Sequence, residues 1–160
     1  MKKIGIADTM FACADMGALC GRTLRTEGDA RIVRLTVPGI KDLPVAAKKL
    51  LAEQDCGIVI ALGMPGSKPI DKECALVASQ GLQNAALQTG RHIIEVFVHE
   101  DEGKNEKQMR EIMRERTVKH ARNALALLRN EKGGNCKNSL RALAGTGQRQ
   151  GSVNADQFEL

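Results

Sequence analysis

Apolar residues recur along this chain in two alternating periods. Four short runs, KIGIA (3–7), RIVRLTV (31–37), GIVIAL (57–62) and HIIEVFV (92–98), are nearly continuous and rich in β-branched residues. That pattern predicts strands buried in a sheet. Between and after them the period changes to that of a helix with one apolar face. Met16, Leu19, Cys20, Thr23 and Leu24 form the first stripe, and Leu43, Ala46, Ala47, Leu50 and Leu51 the second. Asp42 stands at the N-cap position of the second, with Pro44 in its first turn. Cys74, Val77, Ala78, Gly81, Leu82 and Ala85 make a third stripe of mostly small side chains. Met109, Ile112, Met113, Ala121, Ala124, Leu125 and Leu128 make the fourth.

Strand and helix therefore alternate four times, which calls for parallel strands joined by right-handed crossovers. The predicted architecture is a three-layer α/β sandwich around a parallel sheet of about four strands. It occupies residues 1–130, and 131–160 read as a polar linker and glycine-bearing tail without a partner strand.

Composition narrows the function. The chain has 160 residues, of which 42% are apolar and 27% charged, ordinary for one globular domain. No stretch approaches the roughly 20 apolar residues that span a bilayer, and Asp8 interrupts the short apolar run of the N-terminus. A cytoplasmic protein without a membrane partner is expected. Five cysteines (13, 20, 56, 74, 136) form no C-x-x-C pair, and the histidines (92, 99, 120) are widely spaced, so reduced thiols and no zinc site are expected. The net charge is +5, with Arg129, Lys132, Lys137, Arg141 and Arg149 clustered near the end. No aromatic residue interleaves them to stack on bases, so no nucleic-acid partner is expected. The tail reads as solvated or interface-forming.

Ligands of such sheets bind beyond the carboxyl ends of the strands. The loops on that edge are DTMF (8–11), PGIKD (38–42), GMPG (63–66) and HEDEG (99–103). GMPGSK falls short of a P-loop: the spacing is too tight, Ser precedes Lys, and Pro65 removes an N–H donor. It better suits the edge of a flat neutral heterocycle.

Five segments in order, IGIADTMF, VPGIKDLPVAAKKL, IVIALGMPG, IIEVFVHEDE and AGTGQRQG, resemble the archaeal-type riboflavin synthases over nearly the whole chain. The VPG…LP.AAKKL segment and the strand order also resemble lumazine synthase, their structural relative. The resemblance implies flavodoxin-like, lumazine synthase-like subunits forming a homopentamer with sites between neighbours. It also implies dismutation of two 6,7-dimethyl-8-ribityllumazine molecules into riboflavin and 5-amino-6-ribitylaminouracil by transfer of a four-carbon unit. Lumazine synthase itself is the alternative. Its pattern, however, has a longer phosphate-binding loop after the third strand and a histidine opening the next helix, and GMPGSKPIDKECA has neither. A non-catalytic flavin carrier is the third reading, since the same edge would bind a flavin.

The resemblance puts Phe11 in a ring-stacking position; the competing role is a staple at the start of the first helix. Thr9, Met10, Pro38, Gly39, Ile40, Gly63, Met64 and Pro65 would line the substrate. Asp42 would accept hydrogen bonds from the ribityl chain as well as, or instead of, capping its helix. His99, followed by Glu100, Asp101 and Glu102, is the expected acid–base residue; a solvated histidine in an acidic turn is the alternative. Glu95 is a carboxylate inside an apolar strand, facing the site, a neighbouring subunit or water. Arg116 and His120 sit four apart on the apolar side of the last helix, where subunit contact or a part in catalysis is expected. No redox cofactor or obligatory metal is implied. The acidic HEDE turn leaves room for a magnesium effect.

Overall fold

In the computed structural model, residues 2–10 and 14–130 are described. Four parallel strands, β1 (Lys3–Thr9), β2 (Arg31–Val37), β3 (Ile58–Gly63) and β4 (Ile93–Phe97), lie in the order β2-β1-β3-β4. This is the doubly wound order in which the chain reverses direction between β1 and β3. Four α-helices connect and follow them: α1 (Met16–Glu27), α2 (Leu43–Ala52), α3 (Pro69–Thr89) and α4 (Glu106–Asn130). A short 3-10 turn, Ile40–Asp42, leads into α2.

Strand parity sorts the core into two layers. Ile4, Ile6, Ile58, Ile60, Leu62, Val96 and Val98 face α1 and α4. Ala7, Val59 and Ala61 face α2 and α3, meeting Leu43, Ala46, Ala47, Leu50, Leu51 and Leu82. The small residues on that second face let α2 approach closely. A Cβ built on Gly5 would stand 2.7 Å from Val59 and 3.1 Å from Leu50, so glycine is needed there for the helix to close on the sheet. At the end of α3, Gly90 takes the left-handed conformation (φ 61) that terminates a helix.

The expected elements are present, with three corrections. RIVRLTV is a strand but not a buried one: β2 lies at the sheet edge and most of its residues meet solvent. An apolar run reports β propensity, whereas burial depends on the neighbour that the sheet order denies it. The third helix is longer than its stripe and rotated from it. Ala75, Ala78, Leu82 and Ala85 are its buried positions, while Val77 is 55% exposed. Asp42 holds the N-cap position of α2 but caps nothing there. Its carboxylate turns back to accept the Gly39 N–H at 3.1 Å, closing the 3-10 turn instead.

Candidate functional site

The carboxyl ends of β1, β2 and β3 carry a cleft at the reversal of strand order. Thr9, Pro38, Gly39, Ile40, Met64, Pro65, Gly66, Asp71 and Cys74 line a cavity of about 160 Å³. Six of the expected ligand-lining residues thus come together in one place. A second lobe of about 310 Å³ opens on the α1 side of the same edge, bounded by Asp8, Thr9, Met10, Asp15, Arg34, Thr36 and Gly63 among others. Thr9 borders both lobes. The first lobe is walled mainly by proline, glycine and apolar side chains that suit a flat ring, with the Asp71 carboxylate at one side, and the second carries more hydroxyls and charges among its apolar residues. Phe11 lies outside the described residues.

The remaining expected residues stand elsewhere, so the single four-loop site resolves into two parts. Glu95 and His99 line a cavity of about 660 Å³ at the β4 edge, with Lys72, Leu76, Phe97 and Arg116. The reason is again strand order, because β4 is the outermost strand beyond β3. The two parts are nevertheless adjacent. Glu100 donates its N–H to the Pro65 carbonyl at 3.1 Å, and Val98 donates to Gly63 at 3.1 Å. Phe97 stands between them: a Cβ on Gly63 would lie 3.1 Å from its ring and 3.3 Å from Ile40 Cδ1. Asp42 lines none of these cavities, and its link to Gly39 occupies one carboxylate oxygen.

The acidic turn is internally compensated. Arg116 grips both oxygens of Glu102, at 2.9 and 2.5 Å, and donates to the Phe97 carbonyl at 2.7 Å. Glu102 also accepts the His99 N–H at 2.8 Å. The guanidinium holds the Glu102 carboxyl below its ordinary range. Asp101 pairs with Lys72 at 2.6 Å, which holds its carboxyl low as well. These carboxylates are therefore paired with cations of α3 and α4, while both remain within electrostatic reach of His99. His99 Nδ1 is buried and has no hydrogen-bond partner among the described residues. No group of three or more potential metal-binding side chains occurs among the described residues. A magnesium ion at the turn would have to displace Lys72 or Arg116.

Arg116 thus has a role within its own subunit, holding the turn that bears His99. His120, one turn further along α4, carries a different signature. Burial first, then the charges of Lys119 and Arg116, push its imidazole below the ordinary value of 6.5. The folded state accordingly binds this proton more weakly than the unfolded chain. Stability is expected to decline as pH falls below about 6.5, well before the lowered carboxylates Glu27 and Glu102 are lost below about 4.5. His120→Gln should flatten the first decline alone in denaturant titrations across pH. A slope unchanged between pH 7 and 5.5 would remove His120 as its source.

Sequence reasoning passed over four residues at this edge. Phe97 was legible as one of three aromatic residues in the chain, on the same strand face as Ile93 and Glu95. Asp8, Arg34 and Asp15 were not, because their convergence depends on the β1–β2 register. Among the described residues the thiols gave no further site. Cys20, Cys56 and Cys74 are free, and burial pushes the Cys20 thiol up to about 12, leaving it unreactive at neutral pH.

Comparison with known proteins adds independent findings. A family model described as 6,7-dimethyl-8-ribityllumazine synthase matches residues 1–132. A protein of Archaeoglobus fulgidus named riboflavin synthase is 48% identical over 149 residues, covering 93% of this chain and 94% of its own. One from Methanothermobacter thermautotrophicus with the same name is 49% identical over 129 residues, covering 80% and 84%. Another, from Aeropyrum pernix, is 44% identical over 155 residues, covering 96% of each chain.

Proposed function

The chain belongs to the 6,7-dimethyl-8-ribityllumazine synthase family, and from that premise we propose that it acts as a riboflavin synthase. Two 6,7-dimethyl-8-ribityllumazine molecules exchange a four-carbon unit, giving riboflavin and 5-amino-6-ribitylaminouracil. Its similarity to three proteins of that name over most of their length supports the activity. One observation separates it from lumazine formation, which consumes a four-carbon phosphate. The anion-binding position at the start of α3 is already filled by the chain's own carboxylate. Asp71 accepts the Lys68 N–H at 3.2 Å and lies against Gly66, where a Cβ would collide with it. A phosphate arriving at this helix N-terminus would meet a negative charge instead of free N–H donors. A neutral ring suffers no such exclusion.

The chemistry asks the protein chiefly for alignment. The 7-methyl group of the lumazine is acidic because its anion delocalises into the ring. Holding two rings in opposed orientation turns their encounter into an intramolecular step, contributing up to roughly 7–11 kcal/mol at ideal alignment. The cleft between Pro38–Ile40 and Gly63–Gly66 takes one ring. Thr9 and Met64 line that cleft, and backbone donors there would stabilise the charge that develops on the ring. His99, with its unpartnered Nδ1, serves as the proton carrier. No redox cofactor or metal is needed for this scheme.

The working unit is a homo-oligomer, a pentamer by resemblance, with each site shared between neighbours. The outer surface of α3 supports this. From Ala75 to Thr89 the helix carries no charged residue. Leu76, Val77 and Leu87 on that stretch are 60%, 55% and 71% exposed. Depletion of charge with exposed aliphatic groups is the mark of an interface core. Free thiols are consistent with a reducing cytoplasm.

The decisive experiment is incubation of the pure protein with 6,7-dimethyl-8-ribityllumazine, with chromatographic separation of products. Riboflavin and the pyrimidine are expected in equal amounts. Tight binding without consumption would make the protein a flavin carrier. Lumazine formed from the pyrimidine and a butanone phosphate would make it a lumazine synthase.

A further inference from the structure

In the wall of the polar lobe, one guanidinium joins two elements that the reaction scheme leaves unconnected. Asp8, the penultimate residue of β1, is only 5% exposed. It pairs across the β1–β2 register with Thr36, whose hydroxyl donates to Oδ1 at 2.8 Å. Arg34, two residues earlier on the same face of β2, donates Nε–H to both Asp8 oxygens at 3.2 and 3.1 Å, and Nη2–H to Oδ2 at 2.5 Å. The same Nη2 also reaches Asp15 Oδ1 at 2.8 Å. Asp15 is in turn the N-cap of α1, accepting the Ala18 N–H at 2.8 Å. Gly17 completes the joint, since a Cβ there would run into Asp8 and Arg34. A helix-interior glycine ordinarily costs stability relative to alanine, so its presence here is explained by the close passage of this pair.

We propose that Arg34 is a positioning residue for the reaction, clamping the end of β1 to the first turn of α1 and so fixing Thr9 and Met10 at the wall of the substrate site. This rests on the reading of the site given under Proposed function. Thr9 borders both lobes and follows Asp8 directly, so any rotation of Asp8 carries it along. The Met10 N–H donates to the Val37 carbonyl at 3.0 Å, extending the pairing that the clamp protects. Arg34 is suited to the task and lysine is not. A planar fork can hold two carboxylates at fixed angles, whereas an ammonium holds a charge without fixing direction. Its charge is shared between Asp8 and Asp15, leaving no positive excess to stabilise a ring anion. The role is therefore geometric.

Contacts made by a wall residue exist before and during the reaction alike, so loosening them raises KM and leaves kcat nearly unchanged. A role in stability alone would act oppositely, lowering the active fraction and apparent kcat at constant KM. The test uses Arg34→Lys, which keeps a cation beside buried Asp8, Arg34→Gln, and Asp15→Asn, which keeps a competent N-cap. We expect Arg34→Lys to retain the wild-type melting temperature within a few degrees yet raise KM about tenfold, with kcat within about threefold. Asp15→Asn should raise KM by about threefold. The dissociation constant for 6,7-dimethyl-8-ribityllumazine, read from absorbance titration, should rise in parallel. That measurement holds even if the wild-type protein binds the compound without converting it, so failure of the activity and failure of the clamp are distinguishable. An Arg34→Lys protein with wild-type KM and dissociation constant overturns the proposal. So does a loss of kcat that merely tracks the folded fraction in Arg34→Gln.

Discussion

Val77→Asp on α3 is expected to yield a folded subunit that no longer assembles and has lost at least about 100-fold in turnover. Val77 is 55% exposed in the single subunit, so a carboxylate there meets water and leaves the α/β core untouched. In the proposed assembly the same position would lie on the stretch of α3 that runs from Ala75 to Thr89 without a charge, one turn from Gly81. Burying an unpaired carboxylate against a partner costs several kcal/mol per interface, and a ring repeats that cost at every contact. Turnover is expected to fall with it because each proposed site is shared between neighbouring subunits. Sedimentation velocity gives the assembly state, circular dichroism the fold, and product chromatography the rate. A Val77→Asp protein that remains oligomeric at wild-type activity places the interface elsewhere. A monomer of full activity would show that a single subunit holds a complete site.

The second large effect is expected at Gly63. This residue ends β3 with no exposed surface to spare, borders the polar lobe, and packs against the Phe97 ring and Ile40. A Cβ is already tight at 3.1 Å from Phe97, so the branched side chain of Gly63→Val must push Phe97 or Ile40 aside. Overpacking of this kind costs about 1–3 kcal/mol of stability. Its consequence for function is larger, because Ile40 is a wall of the ring cleft and Phe97 a wall of the neighbouring cavity. We expect affinity for the lumazine to fall at least about 30-fold, roughly 2 kcal/mol, while the strands persist. Equal affinity in wild type and Gly63→Val would remove GMPG from the ring site.

Much of this was readable from residue order. The VPGIKDLPVAAKKL segment specified a turn, a helix with Pro44 in its first turn, and the five buried positions that α2 indeed presents. IVIALGMPG announced a strand passing directly into a glycine-proline turn, and that turn does line the cleft. The failures have a common cause. RIVRLTV has the composition of a buried strand, yet its exposure depends on lying beside β1 alone. The stripe assigned to α3 missed Ala75 and included Val77 because alanines and short aliphatic residues give little contrast between faces. Nor does the order of residues reveal that Arg116 and Lys72, from two different helices, pair with Glu102 and Asp101 beside His99.

The sequence by itself determined the alternating strand and helix pattern, the parallel sheet and the loops that meet at the sheet's edge. These follow from periodicity and turn chemistry, which act over a few neighbouring residues. Only the tertiary structure decided which loops share a cavity, which carboxylates are neutralised and which helix face stays bare. Those outcomes depend on strand order and on side chains meeting from distant segments: Arg34 reaching Asp8 and Asp15, and Arg116 reaching Glu102. No local pattern encodes such distances, because they are set by how the two helical layers pack on the sheet.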